Sequence, residues 1–259
     1  MAEETQYTAN TGMQTISTAN VNLDGTGTLS SAIVTGASNG TLIKTVTIKA
    51  QVNTTQGMVR LFIYDGTNTK LISEIEIPAV TKGANDPAFE ITIPVDYALK
   101  SGWSLKASTE NSESFNVIAE GLDWVYYTTS VRPESSKYTA NTGMQTASTA
   151  NTNLDGSGTL TSAIVTGASN GTQIQSVSVK AQVSTTAGMV RLFLYDGTNT
   201  KLLKEVPVPA VTKSATAHSF SRSVDLDFAL KSGWSLKAST EKGESINVIA
   251  EGLDWTYPA

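Results

Sequence analysis

The chain alternates apolar and polar residues with a period of two along most of its length. Val46, Ile48, Ala50 and Val52 alternate with Thr45, Thr47, Lys49 and Gln51, the pattern of a strand with one buried and one wet face. The same period recurs at Val59, Leu61 and Ile63, at Ile75 and Ile77, and at Phe89, Ile91, Ile93 and Val95. It returns at Trp103, Leu105 and Ala107, and at Phe115, Val117 and Ala119. Turn formers separate these runs: Asp24-Gly25, Ser38-Asn39-Gly40, Asp65-Gly66-Thr67-Asn68, Lys82-Gly83 and Ser101-Gly102. A break every ten residues or so predicts many short strands and argues against helices. The stretch Val59 to Leu71, two alternating runs around an Asp-Gly-Thr-Asn link, predicts a hairpin, and Pro78 predicts the end of its second strand.

The pattern is written twice. Tyr7-Thr-Ala-Asn-Thr-Gly-Met-Gln-Thr15 returns as Tyr138-Thr-Ala-Asn-Thr-Gly-Met-Gln-Thr146, and the register holds without a gap to Gly121-Leu-Asp-Trp124 and Gly252-Leu-Asp-Trp255. Roughly 70% of the aligned positions are identical, which for a repeat this long means one domain made twice. The expected division is a first copy over residues 1–128 with a short N-terminal arm, a linker at 129–137, and a second copy over 138–259. About eight strands in some 120 residues fit an antiparallel sandwich. The expected fold is therefore all-β, two tandem jelly-roll-like sandwiches.

Composition narrows the chemistry. Only 16% of residues are charged and 39% are hydrophobic, enough for a core, which excludes a disordered acidic tail or a coiled coil. The absence of cysteine excludes disulfides, thiol catalysis and thiolate zinc sites. A net charge of −5 without a Lys/Arg cluster argues against a nucleic-acid partner. No apolar run is long enough to span a membrane as a helix, and no basic-then-apolar leader follows Met1. The expectation is a protein made in a cytoplasm, with no membrane partner.

Candidate catalytic groups are few. The single histidine, His218, stands where the first copy has Pro87, so a site present in both copies cannot use it, and it reads as a loop residue. Glu120 and Asp123, repeated as Glu251 and Asp254, are the nearest thing to a glycosidase carboxylate pair, but their place after an apolar strand beside Gly121 reads as the polar end of that strand. The segment Asn22 to Thr28 has calcium-compatible oxygens but one carboxylate only, and reads as a turn. No catalytic residue, metal ligand or cofactor site is expected. Trp103 and Trp234 begin apolar alternations and are expected in the core. Trp124 with Tyr126, and Trp255 with Tyr257, stand near the end of each copy, where they either close the sandwich or contact a partner or glycan. The copies diverge most between Gly83–Tyr97 and Ser214–Phe228, where Glu90 becomes Ser221, Ile91 becomes Arg222 and Pro94 becomes Asp225. The first copy carries 7 basic and 11 acidic residues, the second 9 and 9. This fits either drift on a wet face or two modules facing different neighbours.

The runs Gly57-Met-Val-Arg-Leu-Phe-Ile-Tyr-Asp-Gly66, Lys70-Leu71 and Pro78-Ala79-Val80 carry a resemblance, joined by Leu99, Ser101-Gly102-Trp103-Ser-Leu-Lys-Ala-Ser-Thr-Glu110 and Asn116-Val-Ile-Ala-Glu-Gly121. Nearly the whole of each copy resembles a β-sandwich module of tailed-bacteriophage virion proteins. The resemblance implies a non-enzymatic module that acts by binding, as in capsid decoration proteins, head fibres and tail components. It departs from the single-module form in being doubled. The implied function is a capsid decoration (cement) protein in the virion, with capsid or other virion proteins as partners and homo-oligomerisation open. The alternatives are a glycan-binding tail-fibre adhesin using Trp124 and Trp255 with avidity, and a structural spacer that associates through free sheet edges.

Overall fold

The computed structural model describes residues 6–125, 137–214 and 217–256. The chain divides into two compact units. The first is built from β1 (Gln6–Ala9), β2 (Gly12–Ile16), β3 (Val34–Thr35), β4 (Thr41–Ala50), β5 (Gly57–Tyr64), β6 (Thr69–Ile77), β7 (Glu90–Leu99), β8 (Ser104–Thr109) and β9 (Phe115–Val125). β1 and β2 lie in turn along β9, Ala9 opposite Leu122 and Gly12 opposite Ala119, so they act as one interrupted strand and the working number is eight.

Pairing runs from the outside in: β2 with β9, β3 with β8, β4 with β7 and β5 with β6, all antiparallel. The chain is thus one long ribbon doubled back at Asp65–Asn68. Rolling that ribbon brings β9 beside β4 and β8 beside β5. The resulting sheets, β1/β2-β9-β4-β7 and β3-β8-β5-β6, have the strand order of a jelly roll. Rolling leaves both apolar faces inward, which is how eight short strands without a helix obtain a core.

The second unit repeats the plan with β10 (Lys137–Ala140), β11 (Gly143–Ala147), β12 (Val165–Thr166), β13 (Thr172–Ala181), β14 (Gly188–Tyr195), β15 (Thr200–Val208), β16 (Ser221–Leu230), β17 (Ser235–Thr240) and β18 (Ile246–Thr256). Its sheets are β10/β11-β18-β13-β16 and β12-β17-β14-β15.

The core of the first unit joins Ile43, Val46, Ile48 and Ala50 of β4 and Phe115, Val117 and Ala119 of β9 to Val59, Leu61 and Ile63 of β5 and Leu105 and Ala107 of β8. The step of three between Ile43 and Val46 comes from a bulge at Lys44, where β4 carries one residue more than β9. Asp96, on the neighbouring strand at this point, has φ of 45°, and Asp227 has 43° at the matching place in the second unit. Trp103 packs partly buried against the core cluster, with the Lys100 ammonium 5.3 Å from its ring centre.

Strict alternation fails in three places. Val52, placed by its period on the buried face, is 41% exposed, because β4 ends at Ala50. Thr47 and Lys49, placed on the wet face, are buried. The Lys49 ammonium donates to the carbonyl of Ala88 at 2.9 Å and lies 3.6 Å from Glu90, while the Thr47 and Thr92 hydroxyls share a 2.8 Å hydrogen bond. Arg60 and Phe62, on the outer face of β5, are buried as well. The loop between β2 and β3 crosses that face: Asn20 N–H donates to Thr109 O and Ser30 N–H to Ala107 O. Asn20 organises this loop, its amide donating to the carbonyls of Thr26 and Thr28 and its oxygen accepting from Asn22 N–H. In the second unit Leu154, on the equivalent loop, packs with Phe193 and Leu202 into a small outer core.

The predicted hairpin and its end at Pro78 are present, since β6 stops at Ile77. The Asp65 carboxylate accepts from the N–H groups of Thr67 and Asn68, and Gly66 takes φ of 100°. The N–H of Asn68, that of Thr67 and the Asn68 side chain hold the Asp65 carboxyl below the usual 3.8. Asp24, bonded by the hydroxyl and then the N–H of Thr26, is lowered likewise. A depressed folded-state pKa contributes stability that is complete above the unfolded value and is lost as pH falls through the folded value. Asp196 accepts from the N–H groups of Thr198 and Asn199 in the matching turn of the second unit and is lowered too. Melting temperature is therefore expected to fall as pH drops below about 4, and Asp65→Asn with Asp196→Asn should flatten that acid limb. An unchanged acid limb in the double variant would contradict this account.

Candidate functional site

The predicted carboxylate pair comes apart when its strand is followed. β9 runs without a bulge from Phe115, so Glu120 points outward and Asp123 points to the sandwich interior, on opposite faces of one sheet. Two carboxyls so placed cannot flank one glycosidic bond. Each is held by the fold instead. Asp123 Oδ1 accepts from the Asn10 amide at 2.8 Å and from the Thr41 hydroxyl, and the same Thr41 oxygen accepts from Ala37 N–H. Asp254 repeats this with Asn141, Thr172 and Ala168. Glu120 accepts from Thr45 Oγ1 at 3.1 Å, and Glu251 from Ser176 at 3.4 Å.

The Asp123 cluster ties together the β1–β2 break, the start of β4 and the end of β9, three segments that sequence separates by 31 and 82 residues. Asp123→Ala is expected to destabilise the first sandwich by about 2 kcal/mol, and Asp254→Ala the second by a similar amount, in urea denaturation. A change below about 0.5 kcal/mol would show that these bonds do not matter to the fold.

Trp124 and Trp255 are half-buried. Trp124 lies opposite Tyr7 on the outer face of its sheet. Its ring rests against Gly40, where an added Cβ would come within 2.8 Å of the indole, and its backbone N–H donates to Gly40 O. Gly40 has φ of 97°, so the turn needs glycine both for its backbone and for the ring above it. Trp255 makes the matching backbone bond to Gly171. Tyr126 and Tyr257 lie outside the described residues. His218 is exposed and outside any strand. The Asn22–Thr28 segment is a turn in which Asp24 accepts from Thr26, and among the described residues no group of three or more His, Cys, Asp or Glu could hold a metal ion.

Two features that periodicity conceals recur in both units. Arg60 sits under the β2–β3 loop and donates to Glu74 at 2.9 Å, Glu110 at 3.0 Å and the carbonyl of Asn20 at 3.3 Å. Arg191 repeats the set with Glu205, Glu241 and Asn151. The sequence signal was available: a charged residue inside an apolar hairpin strand, with a glutamate directly opposite it once the turn fixes the register. The second feature is a hydroxyl-lined cleft beside Ser108, and its counterpart beside Ser239.

The edge strands β7 and β16 carry the segments in which the copies differ most. Pro94 in β7 has no N–H to donate, Arg222 and Asp225 place charges on β16, and the left-handed Asp96 and Asp227 lie where the register of each edge strand shifts. Such residues discourage the addition of a further strand, which weakens the case for association through these sheet edges.

No family model matches the sequence, and no curated protein matches it. Among solved structures the chain is similar to the major capsid protein P2 of bacteriophage PM2, at 12% identity over 95% of this chain and 98% of that one, with a TM-score of 0.26. It is also similar to the tandem CBM22-1–CBM22-2 domain of Paenibacillus barcinonensis Xyn10C, at 10% identity over 98% and 95%, TM-score 0.25. The Macrobrachium rosenbergii nodavirus structure matches at 9% identity over 97% and 98%, TM-score 0.21. The jelly-roll class itself is defined by the strand order. No helix among the described residues is long and apolar enough to cross a membrane.

Proposed function

We propose that this chain is a non-enzymatic structural protein of a tailed-phage virion, a capsid decoration protein that binds the outer capsid surface. The observation that carries the reading is the use of the candidate acids: in both units Asp123 and Asp254 are bound into fold-holding clusters, and the glutamates three residues earlier face away from them. The resemblance read from the sequence of both copies supplies the direction, and a chain only 16% charged suits docking on a lattice. Two modules of similar core but different net charge suit contact with two different neighbours.

Immunogold labelling of virions of the encoding phage, with antibody against this protein, tests it. Gold over the heads is the expected result. Gold at the tail would replace decoration with the adhesin reading and make Trp124 and Trp255 the residues to vary against host glycans. Unlabelled particles, or polysaccharide hydrolysis that disappears on replacing Glu120 and Glu251, would overturn the proposal.

A further inference from the structure

The two sandwiches are one fold written twice, yet they differ in which outer face is buried. On the outside of the sheet around β9, Met13 is 7% exposed, and Ile118 opposite it and Glu120 beyond are buried. At the same positions of the second unit Met144 is 69% exposed, Ile249 opposite it is partly exposed and Glu251 is exposed. Alternation along β18 puts Ile249, Glu251 and Trp255 on one face, and the exposed Tyr138 stands opposite Trp255. Met144, Ile249, Trp255 and Tyr138 therefore form an apolar stripe down the outside of this sheet. The reverse holds for the face crossed by the β2–β3 loop. In the second unit Leu154 is 8% exposed, and Leu202 and Glu205 are buried. In the first, Leu23 is 50% exposed, and Glu74 and the neighbouring Val21 are exposed as well.

A single exposed apolar side chain needs no explanation, since much of any protein surface is apolar. The pattern does. Methionine, isoleucine, glutamate, tryptophan and tyrosine are the same in both copies of the first face, and leucine is the same in both copies of the loop. Each kind of face is thus buried in one unit and bare in the other, with composition suited to burial in both. We infer that the two bare faces are a matched pair and that a second copy of this chain is their occupant: the sheet face around Met144 of one chain docks on the loop face around Leu23 of the next. Methionine adapts to an irregular partner surface, and tyrosine and tryptophan bring large apolar area with a polar tip. Joining unlike units also avoids setting two first copies against each other, each with 7 basic and 11 acidic residues. Such a contact is heterologous. It leaves the same two faces free at the ends of every pair, so chains add until they close into a ring or extend as a filament. It runs through sheet faces, so the interrupted edges of β7 and β16 do not oppose it, and it does not rest on the capsid reading.

The test is sedimentation velocity of the full chain over a concentration series reaching about 1 mM. The expected result is a mass that rises past that of a dimer, in steps or as a ring of fixed size. Met144→Arg and Leu23→Arg both change exposed positions, so each should keep the melting temperature of the parent while weakening association at least about tenfold. Mixing the two variants reads the pairing itself. The Met144→Arg chain keeps its loop face and the Leu23→Arg chain keeps its sheet face, so together they should form a one-to-one dimer and nothing larger. A parent that stays monomeric throughout the series would overturn the inference. So would variants that associate as the parent does, or a mixture that remains monomeric. A parent that stops at two chains and ignores Leu23→Arg would show the Met144 face meeting its own kind, which overturns the head-to-tail pairing.

Discussion

Replacing Arg191 by Ala is expected to lower the stability of the second sandwich by about 3–5 kcal/mol, read as a shift of its urea midpoint. The Arg191 side chain is 2% exposed, and so is that of Glu205, which accepts from its Nε. Removing the guanidinium leaves Glu205 buried without its cation and removes the donors that serve Glu241 and the carbonyl of Asn151. It also empties the space of the largest fully buried side chain. The asymmetry is the point: the ion pair need not stabilise the fold relative to an apolar substitute, but half of it is costly. Arg191→Met with Glu205→Leu should accordingly recover much of the loss. The equivalent Arg60→Ala is expected to cost less, about 2 kcal/mol, because the Glu74 and Glu110 side chains are 40% and 35% exposed and can turn to water. A mild Arg191→Ala effect, under about 1 kcal/mol, would mean that the buried network is not coupled to folding.

The second large effect is expected from the smallest substitution. A Cβ on Gly12 would fall 1.6 Å from the carbonyl oxygen of Ile33, and one on Gly143 would fall 1.6 Å from that of Ile164. Both obstacles are backbone, so no rotamer change relieves them. Strand β2 would have to move off the loop that leads into β3, while its five pairings to β9 hold it in place. Overpacking of side chains commonly costs about 1–3 kcal/mol, and a backbone clash held between a sheet and a fixed loop should exceed that range. Gly12→Ala and Gly143→Ala are each expected to unfold their own sandwich at temperatures where the parent is intact, by circular dichroism or calorimetry. A variant that folds with an unchanged melting temperature would show that the β2–β3 approach is wider than described.

The strands of the core were legible because a two-residue period with β-branched and aromatic side chains has one reading. Val59, Leu61 and Ile63 against Ile75 and Ile77, with Asp65 to Asn68 between, specify a hairpin without reference to the rest of the chain. The same logic misplaced Lys49 and Thr47. Alternation sorts residues by face, and whether the second face is dry depends on what crosses it. It also carried β4 on to Val52, since no sequence signal marks where a neighbour stops providing partners. Trp124 has no period around it to place it, and the structure half-buries it on Gly40.

By itself the sequence determined that the fold is built twice, that it is all-β, that thiol and metal-thiolate chemistry have no residue to use, and that the two copies share no histidine, because these follow from residue identity and local spacing. Which strands pair, and so the jelly roll, was decided only in three dimensions, since β2 meets β9 between positions at least 99 apart in the chain (Ile16 opposite Phe115, 115 − 16 = 99) and alternation is blind to partner. The same is true of the opposed directions of Glu120 and Asp123 and of the Arg60 and Arg191 networks under their loops. Each depends on segments distant in sequence arriving at one place, and it is the rolling of the ribbon that brings them there.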